Sequence, residues 1–312
     1  MPTPPAGQRL RLLQWNIGNF DVRLHPLGGG PRGMRYSYAS ASREEDISDL
    51  AEVLRREAAD IVTLQEVVAK SGHHARLAES AGYAVAAAGN PEERHTQVIL
   101  VRRGMTYSAA PAPLGFRGVS ARVSLESGRT VLVVSTHSSA GRFTEERAAQ
   151  HRALAAWVRT AGRAEPLIIG GDFNFDDAPQ SMHGMLQRLS TLIPGFPQLA
   201  ASDWSQDRAS LSALREILQD IGAADGPTAG APRRWARILL PWGAPLIPLA
   251  WLLGFGRLRS RLDYFWASAP CVRRESRVLK LTGRGPDRDG APFPWMDHDP
   301  LLAEVSLDEA VV

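Results

Sequence analysis

The stretch Leu167-Ile168-Ile169-Gly170-Gly171-Asp172-Phe173-Asn174 decides how this chain is read. Three large aliphatic residues after Pro166 make a short buried strand, and the two glycines that follow let the backbone turn tightly. Asp172 and Asn174 are two residues apart, so extended backbone points both to one side. A carboxylate there can take a proton from water while the amide donates to a phosphate oxygen, which is what in-line attack on phosphorus requires. The plainer reading of the same string is a turn built from ordinary turn formers.

Working outward, the pattern of an apolar strand ending in polar side chains recurs. Leu10 to Ile17 ends in Asn16 and Gly18, and Ala59 to Val67 ends in Gln65 and Glu66. Further strands are read at Gln97 to Val101, Ala121 to Leu125 and Thr130 to Thr136, the last leading into His137. Strand character returns at Leu262 to Ala267, beside Asp263, and Met296 to Val305 repeats the polar-then-strand order. If such strands share sheets, their polar ends gather along one rim, and rims of that kind hold active sites.

Helices are expected between them. Ser42 and Glu45 form a capping box ahead of Ile47, Leu50, Ala51, Leu54 and Ala58 on one face. Two more are read from Thr144 to Thr160 and from Ser210 to Gln219. The Gly- and Arg-rich stretch Leu27 to Tyr38 reads as a loop, with Arg32 and Arg35 solvated or turned to substrate phosphates. No repeat and no polar linker interrupts the chain, so one domain is expected over residues 8–308.

Composition bounds this reading without choosing a partner. A chain of 312 residues with 44% hydrophobic content can bury a sizeable core. Lys70 and Lys280 are its only lysines, so arginine carries the positive charge, and a formal net charge of +3 is no nucleic-acid footprint by itself. Cys271 is the only cysteine, which excludes an internal disulfide and a Cys-based zinc site. Met1 to Gly7 lacks the charged and apolar regions of a secretory signal, so a cytoplasmic location is expected.

Near the C-terminus, Asp297-His298-Asp299-Pro300 brackets a histidine with carboxylates, and Asp263 is a distant acid able to orient its ring, as in catalytic triads. His73, His74 and His183 fall in loop-like contexts and read as surface residues. His95 and His151 read as structural.

In this order the motifs resemble the endonuclease/exonuclease/phosphatase superfamily, which includes pancreatic deoxyribonuclease, abasic-site endonucleases, neutral sphingomyelinases and inositol polyphosphate 5-phosphatases. The residues that carry the resemblance are Gln14-Trp15-Asn16-Ile17, Asp60 to Val67 with Glu66, Ser135-Thr136-His137, Gly170 to Asn174, Arg261-Leu262-Asp263-Tyr264 and Asp297-His298 with Pro300. The resemblance implies an α/β fold, a four-layer sandwich of two packed mixed β-sheets flanked by helices, as in deoxyribonuclease I. It implies a metal-dependent phosphoesterase in which Glu66 is the principal ligand of Mg²⁺ or Mn²⁺, with Asn16 and Asp297 beside it. Asp172 and Asn174 would then position the attacking water and the phosphate. His298, held by Asp263, would face the phosphate as base or as electrostatic stabiliser, and His137 would contact another phosphate oxygen or help the leaving group. A histidine at 137 resembles the deoxyribonuclease, sphingomyelinase and 5-phosphatase branches more than the abasic-site enzymes.

One segment stands apart. Ile238 to Phe255, within an insert at about 233–260, is apolar, contains three prolines and two tryptophans, and is flanked by Arg233, Arg234, Arg237, Arg257, Arg259 and Arg261. The prolines argue against a straight spanning helix. Two readings stand: a hairpin dipping into a membrane interface, or a lid, packed helix or dimer contact. The expected substrate is accordingly a phospholipid or a nucleic acid, modestly favouring the lipid. A small-metabolite phosphatase and a non-catalytic module of the same fold are the alternatives.

Overall fold

The computed structural model describes residues 8–18, 22–24, 36–38, 44–67, 72–93, 96–112, 117–139, 144–161, 165–175, 203–222, 228–230, 259–269, 271–281 and 298–307. Asp297, His95, His183, the capping residue Ser42 and the segment Ile238 to Phe255 lie outside them. The chain runs β1 (Gln8–Asn16), β2 (Val22–Leu24), β3 (Tyr36–Tyr38), α1 (Glu44–Glu57), β4 (Ile61–Val67), α2 (His73–Ala81), β5 (Tyr83–Ala88), β6 (Thr96–Arg102), β7 (Thr106–Ala110), β8 (Gly118–Ser124) and β9 (Thr130–His137). It continues with α3 (Thr144–Ala161), β10 (Leu167–Asp172), α4 (Asp203–Arg215), β11 (Gln219–Asp220), β12 (Ala229–Gly230), β13 (Arg259–Ser260), β14 (Asp263–Ala267), β15 (Cys271–Val278) and β16 (Leu301–Leu307).

Strand β1 shows why these elements stack in layers. Its Leu10 and Leu12 join one core cluster while Leu13 and Trp15 join another, as period-2 backbone demands of a strand covered on both faces. The first sheet has the order β15-β16-β1-β4-β6-β5 and the second β11-β14-β10-β9-β8-β7. Leu12, Ile61, Ile99, Val133, Ile168 and Phe265 fill the space between the sheets. Leu13, Val62 and Leu64 face outward to Ile47, Leu50 and Leu54 of α1 and Leu77 of α2. On the far side Leu132, Val134, Leu167 and Ile169 meet Leu154 and Val158 of α3 and Leu211 and Leu214 of α4. The result is the expected four-layer sandwich of two mixed sheets between helices.

Both sheets are mixed because β1 runs parallel to β4, and β9 parallel to β10, while their other neighbours run antiparallel. Parallel pairing brings the C-terminal ends of β1 and β4 together, and likewise those of β9 and β10, so the polar residues that close these strands collect at one end.

Several expectations shift. Gly170 and Gly171 make no turn; they lie within β10. Their need is for space: a Cβ on Gly171 would sit 2.3 Å from Thr136 Cγ2 and 2.4 Å from the Thr136 carbonyl oxygen. The helix expected from Ser210 begins instead at Asp203 and stops at Arg215, and Gln219 belongs to a strand. Ala58 is not on the α1 face but follows its last turn with φ 48°. His73 and His74 lie on α2 rather than in a loop, and His73 is buried. Tyr36–Tyr38, at the end of the expected loop, pairs with Val22–Leu24. Ala229 and Gly230 pair with Ser260 and Arg259, which brings the described residues on either side of 231–258 together. Among the described residues no helix is long and apolar enough to cross a membrane.

Candidate active site

The site is the polar end of the layer between the sheets. Continuing each strand's inward alternation from its core residues places Asn16 after Leu12, His137 after Val133, Asp172 after Ile168, and Asp263 beyond Phe265, all in that layer. Register completes the convergence: Asp172 is the ladder partner of both His137 and Asp263.

Glu66 arrives differently. Inward alternation on β4 belongs to Ile61, Thr63 and Gln65, which would turn Glu66 away. The register between β4 and β6 shifts between Leu64 and Val67, and Glu66 has φ 56°, so a bulge re-aims its side chain to the rim. Asn174, just past β10, also has positive φ, 51°. Apart from Ala58 these are the only non-glycine residues with positive φ among those described, and strain of this kind concentrates at functional sites. The expectation that simple alternation carries Asp172 and Asn174 to one face is therefore replaced: Asn174 is set by a left-handed residue after the strand.

Asp172 is the hub. Its Oδ1 accepts the Asn174 backbone N–H at 2.8 Å and its Oδ2 accepts from Asn16 Nδ2 at 2.9 Å. His298 Nε2 stands 3.6 Å and His137 Nε2 3.7 Å from the same Oδ2. Those separations are too long for direct hydrogen bonds. His137 Nε2 also lies 3.6 Å from Glu66 Oε1. Burial pushes the Asp172 carboxyl up to about 6, aided by the neighbouring Asp263 charge and opposed by the two histidines and the Asn16 hydrogen bond.

His298 Nδ1 is 2.8 Å from Asp263 Oδ2. An ionised carboxylate only accepts, so Nδ1 carries the proton and Nε2 is the nitrogen turned toward Asp172. Burial works to raise Asp263, but the His298 charge and hydrogen bonds from His298, Thr228 and Gln14 together hold it below the ordinary carboxylate range. Asp299, read from sequence as a second flanking acid, is structural: its Oδ1 accepts the Leu281 N–H. Arg261, from the same motif as Asp263, forms a bidentate pair with Asp220 and lies over the Tyr264 ring.

The donor set fits a hard divalent cation. Asp172, Asp263 and His298 offer ligand atoms within 4.8 Å of one another, yet both Asp263 oxygens are already engaged by His298 and Gln14. Glu66, whose side chain is 25% exposed, is the carboxylate open to solvent and is where an ion can sit without dismantling those bonds. Asn16 places its amide oxygen on the Gly18 N–H and its nitrogen toward Glu66 and Asp172; since Gly18 demands an acceptor, that orientation is fixed and Asn16 ties the two carboxylates together.

Sequence reasoning missed Ser138, behind this rim. It donates its N–H to Asp172 O and accepts at its own carbonyl from Asn174 Nδ2, and its Oγ meets the buried His151, which was expected to be structural. The only sequence signal of Ser138 was adjacency to His137.

No curated protein matches the chain in sequence. Its fold is similar to the endonuclease/exonuclease/phosphatase of Bacteroides vulgatus, with TM-score 0.59 and 14% identity over 96% of this chain and 100% of that one. It is also similar to D. rerio TDP2 complexed with single strand DNA product, with TM-score 0.55 and 13% identity over 96% and 99% of the two chains. The Beutenbergia cavernae family protein gives TM-score 0.54 and 18% identity over 97% and 73%. At these identities the likeness is one of fold. A family model matches residues 13–284, and with it the chain belongs to the endonuclease/exonuclease/phosphatase family, whose members are metal-dependent phosphoester hydrolases.

Proposed function

We propose that this rim hydrolyses a phosphodiester by in-line attack of water, with Mg²⁺ or Mn²⁺ held at Glu66. The observation that carries the reading is the pair of histidine Nε2 atoms, His298 and His137, aimed at one oxygen of a buried carboxylate from 3.6 and 3.7 Å. A phosphoryl group seated there has an imidazole nitrogen on each side, and His298 donates to it from Nε2 when the ring is an imidazolium.

In this reading Asp172, raised to about 6, is the base that accepts the proton of the attacking water near neutral pH. Asn174 and Asn16 hold its two oxygens in line. His298, with Nδ1–H committed to Asp263, stabilises the charge that builds on the phosphate as an imidazolium donating from Nε2, and His137 faces the same group from the Glu66 side. Glu66 would hold a divalent ion, which when bound would neutralise phosphate oxygens and make water easier to deprotonate. Asp297 stands beside His298 in sequence and remains a proposed ligand.

Nucleic acid is the substrate class we place first, because a protein of this fold, D. rerio TDP2, is described with a single strand DNA product. Phospholipid is the second reading, and its support is the apolar, arginine-flanked sequence Ile238 to Phe255. The test is hydrolysis of bis-p-nitrophenyl phosphate, single- and double-stranded DNA, and sphingomyelin or phosphatidylinositol liposomes, each with Mg²⁺, Mn²⁺ or chelator. Turnover that needs metal and disappears in His298→Ala is expected, with DNA cleaved and liposomes spared. Liposome turnover alone would reverse the order of substrates, and turnover indifferent to both chelator and His298→Ala would sink the mechanism.

A further inference from the structure

Three consecutive residues of strand β1, Gln14, Trp15 and Asn16, bond to residues of the site. Asn16 ties Glu66 to Asp172. Trp15, on the opposite face, donates its indole N–H to the His298 carbonyl at 3.1 Å. Gln14 lies in the layer between the sheets, fully buried, and its Nε2 donates to Asp263 Oδ1 at 2.8 Å and to Gln65 Oε1 at 2.6 Å.

Both partners are acceptors, so the nitrogen end of the amide has to face them. That leaves Gln14 Oε1 buried without a hydrogen-bond partner. An orphaned buried acceptor is a penalty that an apolar side chain of the same volume avoids, so packing does not account for an amide here. What the amide does supply is a fixed donor on the carboxylate oxygen that His298 leaves uncovered.

We propose that Gln14 is a positioning residue for the Asp263–His298 pair: its amide sets the plane of the Asp263 carboxylate and, through it, the tautomer and aim of the His298 ring. The proposal deepens the functional reading and rests on His298 as the phosphate-facing group. Asp263 thereby has Oδ1 on Gln14 and Oδ2 on His298, with Thr228 as a further donor to the carboxylate, and the ring can neither rotate nor move its proton to Nε2 without breaking this alignment. Beyond Gln14 the row of bonds runs on from Gln65 Nε2 to Ser135 Oγ and from Ser135 Oγ to the Leu64 carbonyl, away from Asp263, so the Gln14 bond to Asp263 Oδ1 is the link between this row and the His298 pair.

The experiment compares Gln14→Met with Gln65→Met in the full chain. Both remove an amide from the same buried row, so a purely structural role predicts that they behave alike. With bis-p-nitrophenyl phosphate, Gln14→Met is expected to lower kcat by about tenfold or more with KM within roughly threefold, and Gln65→Met to leave both within about threefold. Without metal, the far-downfield proton resonance of His298 Nδ1–H, assigned by its loss in His298→Ala, should persist in Gln65→Met and broaden or vanish in Gln14→Met. If Gln14→Met does not fold, Gln14→Asn, which keeps the amide one methylene short of Asp263, carries the same comparison. An unchanged resonance and unchanged kcat in the Gln14 variant overturn the proposal, as do equal losses in the two variants. The resonance is independent of turnover, so a failure of the functional reading, shown by an active His298→Ala, remains distinguishable from a failure of this one.

Discussion

Two buried polar networks meet at the end of β10, and they are built to opposite specifications. Behind the strand, between α3 and α4, Arg147 pairs with Asp207 with both side chains at 0% exposure, and Arg147 also donates to the Ser139 carbonyl. There Gln150 accepts the Ser139 N–H, and His151 lies between Ser138 Oγ and Ser210 Oγ. None of these side chains has a buried N or O atom without a partner. In front, toward solvent, Asp172, Asp263 and Glu66 face two histidines, and the nearest approaches to Asp172 from those rings are too long to be hydrogen bonds. Burial acts on both sides with the same sign, against charge. It drives His151 down to about 3, helped by Arg147, and Asp172 up to about 6. The inner network answers by closing every bond, whereas the outer one keeps a costly carboxylate with two histidine nitrogens beyond hydrogen-bond distance of it, which is what separates a scaffold from a site.

The comparison breaks most visibly at Asp172. Asp172→Asn keeps the volume and removes the base, so kcat on bis-p-nitrophenyl phosphate should fall by roughly 10³-fold or more while circular dichroism stays native. A loss below tenfold would move the role of base elsewhere, with His298 the next candidate. The inner network should respond in the other currency. Asp207→Ala strands the Arg147 guanidinium in the core, and removing one partner of a buried pair costs about 3–5 kcal/mol. Urea unfolding measures it, and the activity per folded molecule should remain within a few-fold of the parent.

These two networks also differ in how far the sequence exposed them. The outer one was legible because its residues close apolar strands, so period-2 alternation and a short motif identify Asn16, His137, Asp172 and Asp263 together. Glu66 was found at the polar end of its strand and by motif, but not how it reaches the rim: a bulge and a left-handed φ deliver it, and neither has a signature in the string Leu64-Gln65-Glu66-Val67. The inner network was hidden because its members come from three segments, and Ser210 misled directly. Read as the start of a helix, it sits inside one, where its hydroxyl bonds the Asp207 carbonyl and meets His151. Elements without a hydrophobic stripe were missed for like reasons. β5 is alanine-rich, β15 is an edge strand carrying Arg273, Arg274 and Arg277, and α2 starts at Gly72 with no side-chain cap. Gly170 and Gly171 were found but misjudged, because the space a glycine leaves depends on neighbours from distant segments.

The finer test of the comparison is pH. His151 is held at about 3 in the folded protein against an ordinary 6.5, so the unfolded chain binds its proton first on acidification. Its contribution to stability is complete above pH 6.5 and is lost as pH falls from there toward 3. His151→Gln, neutral throughout, should therefore lose about 2 kcal/mol less than the parent between pH 7 and pH 5, read from urea midpoints at the two values. Equal losses would mean that His151 is protonated in place. Ser138→Ala should do least. Ser210 gives its hydroxyl hydrogen to the Asp207 carbonyl, so it accepts from His151 Nδ1–H, and Nε2 is left to accept from Ser138 Oγ. Deleting that hydroxyl unpairs one buried nitrogen, a cost of about 1 kcal/mol. The backbone of Ser138, which holds Asp172 and Asn174, is untouched, so kcat should stay within about threefold of the parent. A larger fall in kcat at unchanged stability would show that the two networks are coupled through the Ser138 side chain, and that the wall between scaffold and site is itself part of the site.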